Sequence, residues 1–220
     1  AGIKWQGFGS ITVYKKSFQY SFDREDEKTI QIRFNDGGHG SLSGSCRIDL
    51  PTDSKSMLIL HTKFGSQDGI ERNLVRTNLD KSVYFVGTLM SSKESSNSRR
   101  NDLITFISDQ AEHGVYRTRQ REVKALEEGM DSNKVITIVE ILKDSSGRFL
   151  RQETSPFSTL SIKFSNLSIN RLDYDTTVEK QIRAQQNLAM QVQTAMAEAK
   201  TAEQQVFTTM KQGEAEAARE

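Results

Sequence analysis

The sequence holds a single cysteine, Cys46. That excludes an internal disulfide and any zinc site built on cysteines. A lone small thiol inside a strand-like stretch reads as a buried residue, not a reactive nucleophile. Histidine is almost as scarce. His39, His61 and His113 are the full set, and no two have metal-ligand spacing on a common element. No metal site is expected. Excess charge of one sign is also missing: 30 basic residues face 29 acidic ones, for a net charge of +1. A general nucleic-acid binder would show a basic surplus, so no nucleic-acid partner is expected.

Long apolar runs are absent. The longest are short stretches such as Met57–Leu60 and Val83–Val86, whereas a spanning helix needs about 20 apolar residues. No signal-peptide pattern is visible. The chain opens on Ala1 and not on Met. The expectation is a processed form or an internal piece, with any membrane attachment made through a segment upstream. Apolar residues are 35% of the chain, low for a wholly globular protein, so part of it should be solvated or extended.

Catalytic signatures are lacking as well. There is no G-x-S-x-G elbow. Gly37-Gly38-His39-Gly40 has neither the Lys nor the Ser/Thr of a phosphate loop and lies between strands, so it reads as a hairpin turn. Cys46 with His39 or His61 is the remaining dyad, and nothing in the sequence orients it. The expectation is a protein with no catalytic residue and no cofactor.

What is present falls into two parts. Residues 1–175 read as an α+β head, strand-rich over 1–51, helical over 52–114 and strand-rich again over 115–174. Ile11–Tyr14, Ser17–Phe22 and Thr29–Phe34 are β-branched and aromatic with clear alternation. Asn35-Asp36-Gly37-Gly38 is a turn signal, and Ser41–Leu50 returns with Leu42, Cys46, Ile48 and Leu50 on one parity. Thr52 or Asp53 caps a helix over Lys55–Phe64. Asp68 caps a second helix, with Ile70, Leu74, Val75, Leu79, Val83 and Val86 at helical spacing. Met90–Arg100 is polar and reads as a loop or the start of a helix. A third helix begins at Asn101 or Asp102, carries Leu103, Ile104, Ile107 and Ala111, and stops at His113-Gly114. Val115–Lys124, Lys134–Leu142, Leu160–Phe164 and Leu167–Asn170 read as further strands, with a turn at Asp144–Gly147 and Pro156 between strands. Arg117, Arg119 and Arg121 share one face of the first of these. They suit an anion, a lipid headgroup or a neighbouring subunit. A solvated or edge-protecting row is the plainer reading.

From Thr176 to Glu220 there is no proline and one glycine, Gly213. Ala, Gln, Glu and Lys dominate, which favours one long helix, about 65–70 Å if continuous. Val178, Ile182, Ala189, Val192, Met196, Ala199, Val206 and Met210 recur in steps of four and three, with Gln185 and Glu203 filling the register. This is a heptad-like seam of small and weak residues. Leu188 and Phe207 lie beside it. Association with partner helices is favoured over a single solvated helix. A membrane-surface helix would need more aromatic residues and a basic face.

Several segments resemble the band 7 family, the stomatin, prohibitin and flotillin group, in its bacterial type. Gly2-Ile3-Lys4-Trp5 resembles the aromatic segment that follows the family's first strand. Met90–Ser95, Arg99–Leu103, Asp109-Gln110 and Gly114–Tyr116 resemble the middle of the domain. Ser155–Phe157 and Ile169–Asp175 resemble its exit, and Gln185–Met190 with Gly213–Ala217 resemble the following Ala/Glu-rich helix. The likeness covers nearly the whole chain through motifs that are individually weak and jointly ordered. The family's N-terminal anchor and initial strand have no counterpart here. The resemblance implies a non-enzymatic, membrane-associated scaffold that assembles as a ring or cage of like subunits and organises a membrane patch. It also implies an alternative, an adaptor that binds a membrane protease through the head.

Overall fold

The computed structural model describes residues 11–23, 28–125 and 134–217. It is a mixed α+β structure of antiparallel sheets, packed helices and a long C-terminal helix. The chain divides into two compact units, Ala1–Asp175 and Thr176–Glu220.

The first unit is organised on one long strand. β1 (Ser17–Phe22), β2 (Ile30–Arg33) and β3 (His39–Asp49) are antiparallel neighbours. β1 pairs with the second half of β3 and β2 with the first half, along the same edge. β6 (Lys163–Tyr174) pairs along the other edge. Alternation decides which face is covered. Leu42, Cys46 and Ile48 of β3 point inward and are buried, while His39 and Arg47 on the opposite parity are exposed. The β2–β3 turn forms as the sequence requires. Gly37 sits at φ 83 and donates to Phe34 O at 3.1 Å, a backbone region that glycine enters without a Cβ penalty.

Helices cover the apolar face. α1 (Ser54–Phe64) is capped by Asp53, whose carboxylate accepts from Ser56 N at 2.7 Å. The next helical stretch is continuous through α2 (Gln67–Ile70), a π segment (Glu71–Arg76) and α3 (Thr77–Gly87). Its cap is Ser66, which accepts from Gly69 N at 3.1 Å, and not Asp68, which lies in the first turn. The expected stripe of Ile70, Leu74, Val75, Leu79, Val83 and Val86 is buried. α3 ends against β2 at Gly87, where a Cβ would lie 2.3 Å from Arg33 O; only a residue with no side chain fits there. The polar stretch Met90–Arg100, expected as a loop or the start of a helix, contains α4 (Ser92–Ser96), closed by a reciprocal capping box between Ser91 and Glu94. α5 (Arg100–His113) packs on α3 and on β6 and buries Leu103, Ile107 and Ala111.

Two expected elements differ. Ile11–Tyr14 is not a strand. Tyr14 instead bonds His61 Nδ1 at 2.7 Å and Lys15 N donates to Gln67 Oε1 at 3.3 Å, which draws the segment onto helical neighbours and away from any ladder. The strands expected at Leu160–Phe164 and Leu167–Asn170 are largely one strand, β6, broken by two bulges. Asn166 and Leu167 together oppose Cys46, and Asn170 is surplus between the pairs Gly44–Ile169 and Ser43–Arg171. Each bulge inserts one residue and so moves the inward side chains to the other parity. The core-facing set therefore runs Phe164, then Leu167 and Ile169, then Leu172 and Tyr174. Pro156 opens a short helix, α6 (Pro156–Thr159), capped by Ser155; its missing N–H costs nothing in that position.

β4 (Thr118–Ala125) and β5 (Lys134–Ile141) form a separate two-stranded antiparallel ribbon. None of its described side chains belongs to the hydrophobic core. The second unit is α7 (Thr176–Ala217), 42 residues in one helix, about 63 Å at 1.5 Å per residue.

Candidate interaction surfaces

The seam residues fall on α7 as follows. Val178 is buried and Ile182 half-buried, whereas Ala189, Val192, Met196, Ala199, Val206 and Met210 are exposed. Met196 and Met210 keep 68% and 63% of their surface. At about 100° per residue the seam occupies a sector of roughly 120°, and it slants by about 20° per heptad on a straight helix. Leu188 and Phe207 fall in the same sector and are also exposed. A strict two-helix seam is narrower than this. The helix is supported locally by an Arg183–Glu179 ion pair at 3.6 Å and by Lys211 lying 5.9 Å from the Phe207 ring centre. Thr194, Thr201, Thr208 and Thr209 each donate to the carbonyl four residues back. Such contacts hold a helix but leave the apolar sector uncovered.

The arginine row is partly committed. Arg119 and Arg121 both reach Glu140 across the ribbon, at 3.3 and 3.1 Å. Arg117 lies just before β4, is exposed, and donates its backbone N–H to Leu150 O at 2.8 Å. Two guanidinium groups thus share one carboxylate.

The cysteine–histidine pairing is not assembled. Cys46 is buried on the inward face of β3, and burial pushes its thiol up to about 12. His39 stands on the opposite parity of the same strand, and His61 is bonded to Tyr14. A thiol held neutral at physiological pH is a poor nucleophile. Among the described residues, no group of three or more His, Cys, Asp and Glu could hold a metal ion.

A cleft of about 350 Å³ is lined by Tyr20, Lys28, Asp68, Glu71, Arg72 and Arg76. Its arginines are taken up internally. Arg72 pairs with Asp68 at 3.0 Å, and Arg76 pairs with Asp80 at 2.8 Å while donating to Lys28 O and, at 2.8 Å, to Thr29 O. The cleft therefore reads as a tie between the π segment and the chain leading into β2.

Sequence reasoning did not find the clamp at the end of α5. Asp109 accepts from Arg151 at 2.7 Å and contacts His113 Nδ1 at 3.2 Å. Arg151 also donates to Gly114 O at 2.7 Å and lies over the Tyr116 ring, 4.7 Å from its centre. Burial, and then the Asp109 carboxylate beside it, pushes the Tyr116 phenol well above its usual range. Asp109 and Arg151 are 42 residues apart, and no local signal links them.

Among the described residues, no helix is long and apolar enough to cross a membrane. No family model matches the chain, and no curated protein matches it.

Proposed function

We propose that this protein is a non-enzymatic, membrane-associated scaffold of the band 7 type, whose subunits associate through α7. One observation carries the reading: the broad, slanted apolar sector from Ala189 to Met210, exposed on a helix of 42 residues. Exposed apolar surface on this scale marks an interaction site. Its small and weakly apolar members favour close packing beside more than one neighbour over a tight isolated dimer. The slant favours a left-handed supercoil, which keeps the seam facing its neighbours. The membrane part of the proposal is supported by the sequence resemblance.

Sedimentation velocity on the full chain tests the association. Assemblies larger than a dimer are expected at high concentration. Val192→Asp with Met196→Asp should reduce them to dimer or monomer while helix content by circular dichroism stays constant. A wild-type chain that is monomeric or dimeric at every concentration overturns the proposal. So does a doubly charged variant that assembles like wild type.

A further inference from the structure

The first unit carries an exposed apolar patch that the helix seam does not use. Ile11, Val13 and Leu58 keep 74%, 79% and 66% of their surface, and Ile59 keeps 38%. Apolar side chains exposed singly are ordinary; these four lie on two segments that are tied together. Tyr14 packs on the core and bonds His61 at 2.7 Å, the two rings meeting edge to face with centres 6.0 Å apart. Lys15 N donates to Gln67 Oε1, and Leu50 N donates to Lys16 O. The segment before β1 is thereby seated beside α1, with Ile11 and Val13 left outside. Leu58 stands one turn before His61 on α1, on the side that the segment reaches.

The sequence of α1 explains why the patch is there. Met57, Leu60 and Phe64, at helical spacing, pack on the core, which leaves Leu58 and Ile59 to the outer side. Lys55, Ile59 and Lys63 form one line at steps of four, so a lysine stands on each side of the apolar residues. Lys15 and Lys16 add two more beside Val13. All four lysines are exposed, and among the described residues none is in an ion pair. Residues 11–16 and 55–64 contain no Asp or Glu. The acidic residues flanking α1 are engaged: Asp53 caps the helix, Asp68 pairs with Arg72, and Asp49 pairs with Arg47. A chain of net charge +1 thus gathers four positive charges around one apolar patch.

We propose that this patch docks on an anionic lipid bilayer, with Val13, Leu58 and Ile59 entering the interface and the lysines at the level of the headgroups. Apolar residues ringed by basic ones bind such a surface by burial and by attraction to anionic lipid together. Lysine suits the task, because its stem lies along apolar surface while the ammonium stays among headgroups and water. Protein–protein interfaces are instead poor in lysine and rich in arginine and aromatic residues. The two segments hold no arginine, and their aromatic residues, Tyr14 and Phe64, pack on the core. A second copy on a two-fold axis would set these lysines against their own counterparts. The inference rests on the scaffold reading for its membrane setting and adds a contact made by the first unit itself.

Flotation of the full chain with phosphatidylcholine vesicles, with and without about 30% phosphatidylserine, tests it. Binding should need phosphatidylserine and weaken as salt rises. Lys55→Glu with Lys63→Glu should weaken it about ten-fold or more. Val13→Ser with Leu58→Ser should weaken it about ten-fold and leave Tm unchanged, since both residues are exposed. Assembly multiplies weak contacts, so the series is repeated with Val192→Asp and Met196→Asp added, where the same ranking should hold. A chain that assembles without binding vesicles overturns this inference and leaves association through α7 standing. A chain that fails to assemble but keeps the ranking upholds it. Equal binding to both kinds of vesicle, binding to neither, or patch variants that bind like wild type would each overturn the proposal. The last result, with altered sedimentation of the lipid-free chain, would assign the patch to a second copy instead.

Discussion

The two units of this chain treat apolar side chains in opposite ways. In the first, Leu42, Ile48, Val75, Leu79 and Ile107 are buried within one chain. In α7, Val192, Met196, Val206, Phe207 and Met210 are left facing solvent. Both sets follow the period of their secondary structure, so periodicity alone does not tell a core from an interface. What separates them is whether the chain supplies a facing layer. The sheet has α3 and α5 over it. Most of the α7 sector has nothing described over it, and its residues are smaller and more polar on average, as suits a surface that must also survive in water.

That contrast predicts effects of different kind and size. The largest is Leu42→Ala, which leaves a cavity in the fully covered face of β3 and should cost about 2–5 kcal/mol. Thermal unfolding would register it, and assembly through α7 should be unaffected wherever the unit stays folded. Gly87→Ala comes next. It forces a methyl group against Arg33 O and should cost about 1–3 kcal/mol by displacing α3 from β2; a Tm unchanged within error would show that the helix end yields freely. Ser91→Ala removes one half of the capping box and should cost about 1 kcal/mol, visible as a lower denaturant midpoint. Met196→Ala should change the unfolding free energy by less than about 0.5 kcal/mol, yet weaken self-association measured by sedimentation. If Met196→Ala destabilised the monomer as Leu42→Ala does, the distinction between the two regions would fail.

The smallest effect concerns acid. Asp144 accepts from Ser146 N, Ser146 Oγ and Arg148 N in the turn before Phe149, and these hydrogen bonds hold its carboxyl down at about 2. A folded value below the ordinary carboxylate range means the contribution is complete above about pH 4. It is lost as pH falls through about 2. Amide chemical shifts of Ser146 and Arg148 should therefore move only at strongly acidic pH, with the rest of the chain as reference. Movement near neutrality would contradict the hydrogen bonding described.

The comparison also explains which parts were legible beforehand. The alternation of β2 and β3, the Asp53 cap, the stripe on α5 and the uninterrupted α7 all follow from short-range rules. Reading failed where a distant contact decides the outcome. Ile11–Tyr14 has strand composition, but Tyr14 is claimed by His61, 47 residues on. The Asp109–Arg151 clamp joins side chains that no local pattern pairs. Ser91 and Glu94 did carry a signal, the S-x-x-E spacing, in a segment whose polarity suggested a loop. Of the candidate surfaces, the seam was read from period alone. The sharing of Glu140 by Arg119 and Arg121 depends on cross-strand register, which composition does not fix.

The bulges of β6 can be put as a matter of reading frame. Each is a one-residue insertion that shifts the parity of the inward residues for everything beyond it, and the second insertion shifts it back. Phe164 and Leu172 face the same way because two frame changes lie between them. A descendant of this sequence that lost Asn166 alone, or Asn170 alone, would lose that bulge together with its extra residue and keep Leu172 and Tyr174 inside. One that lost both would keep them inside and turn out neither. Single-residue deletions through Lys163–Tyr174 should therefore be tolerated at the two bulges and not among the singly paired residues between and beyond them.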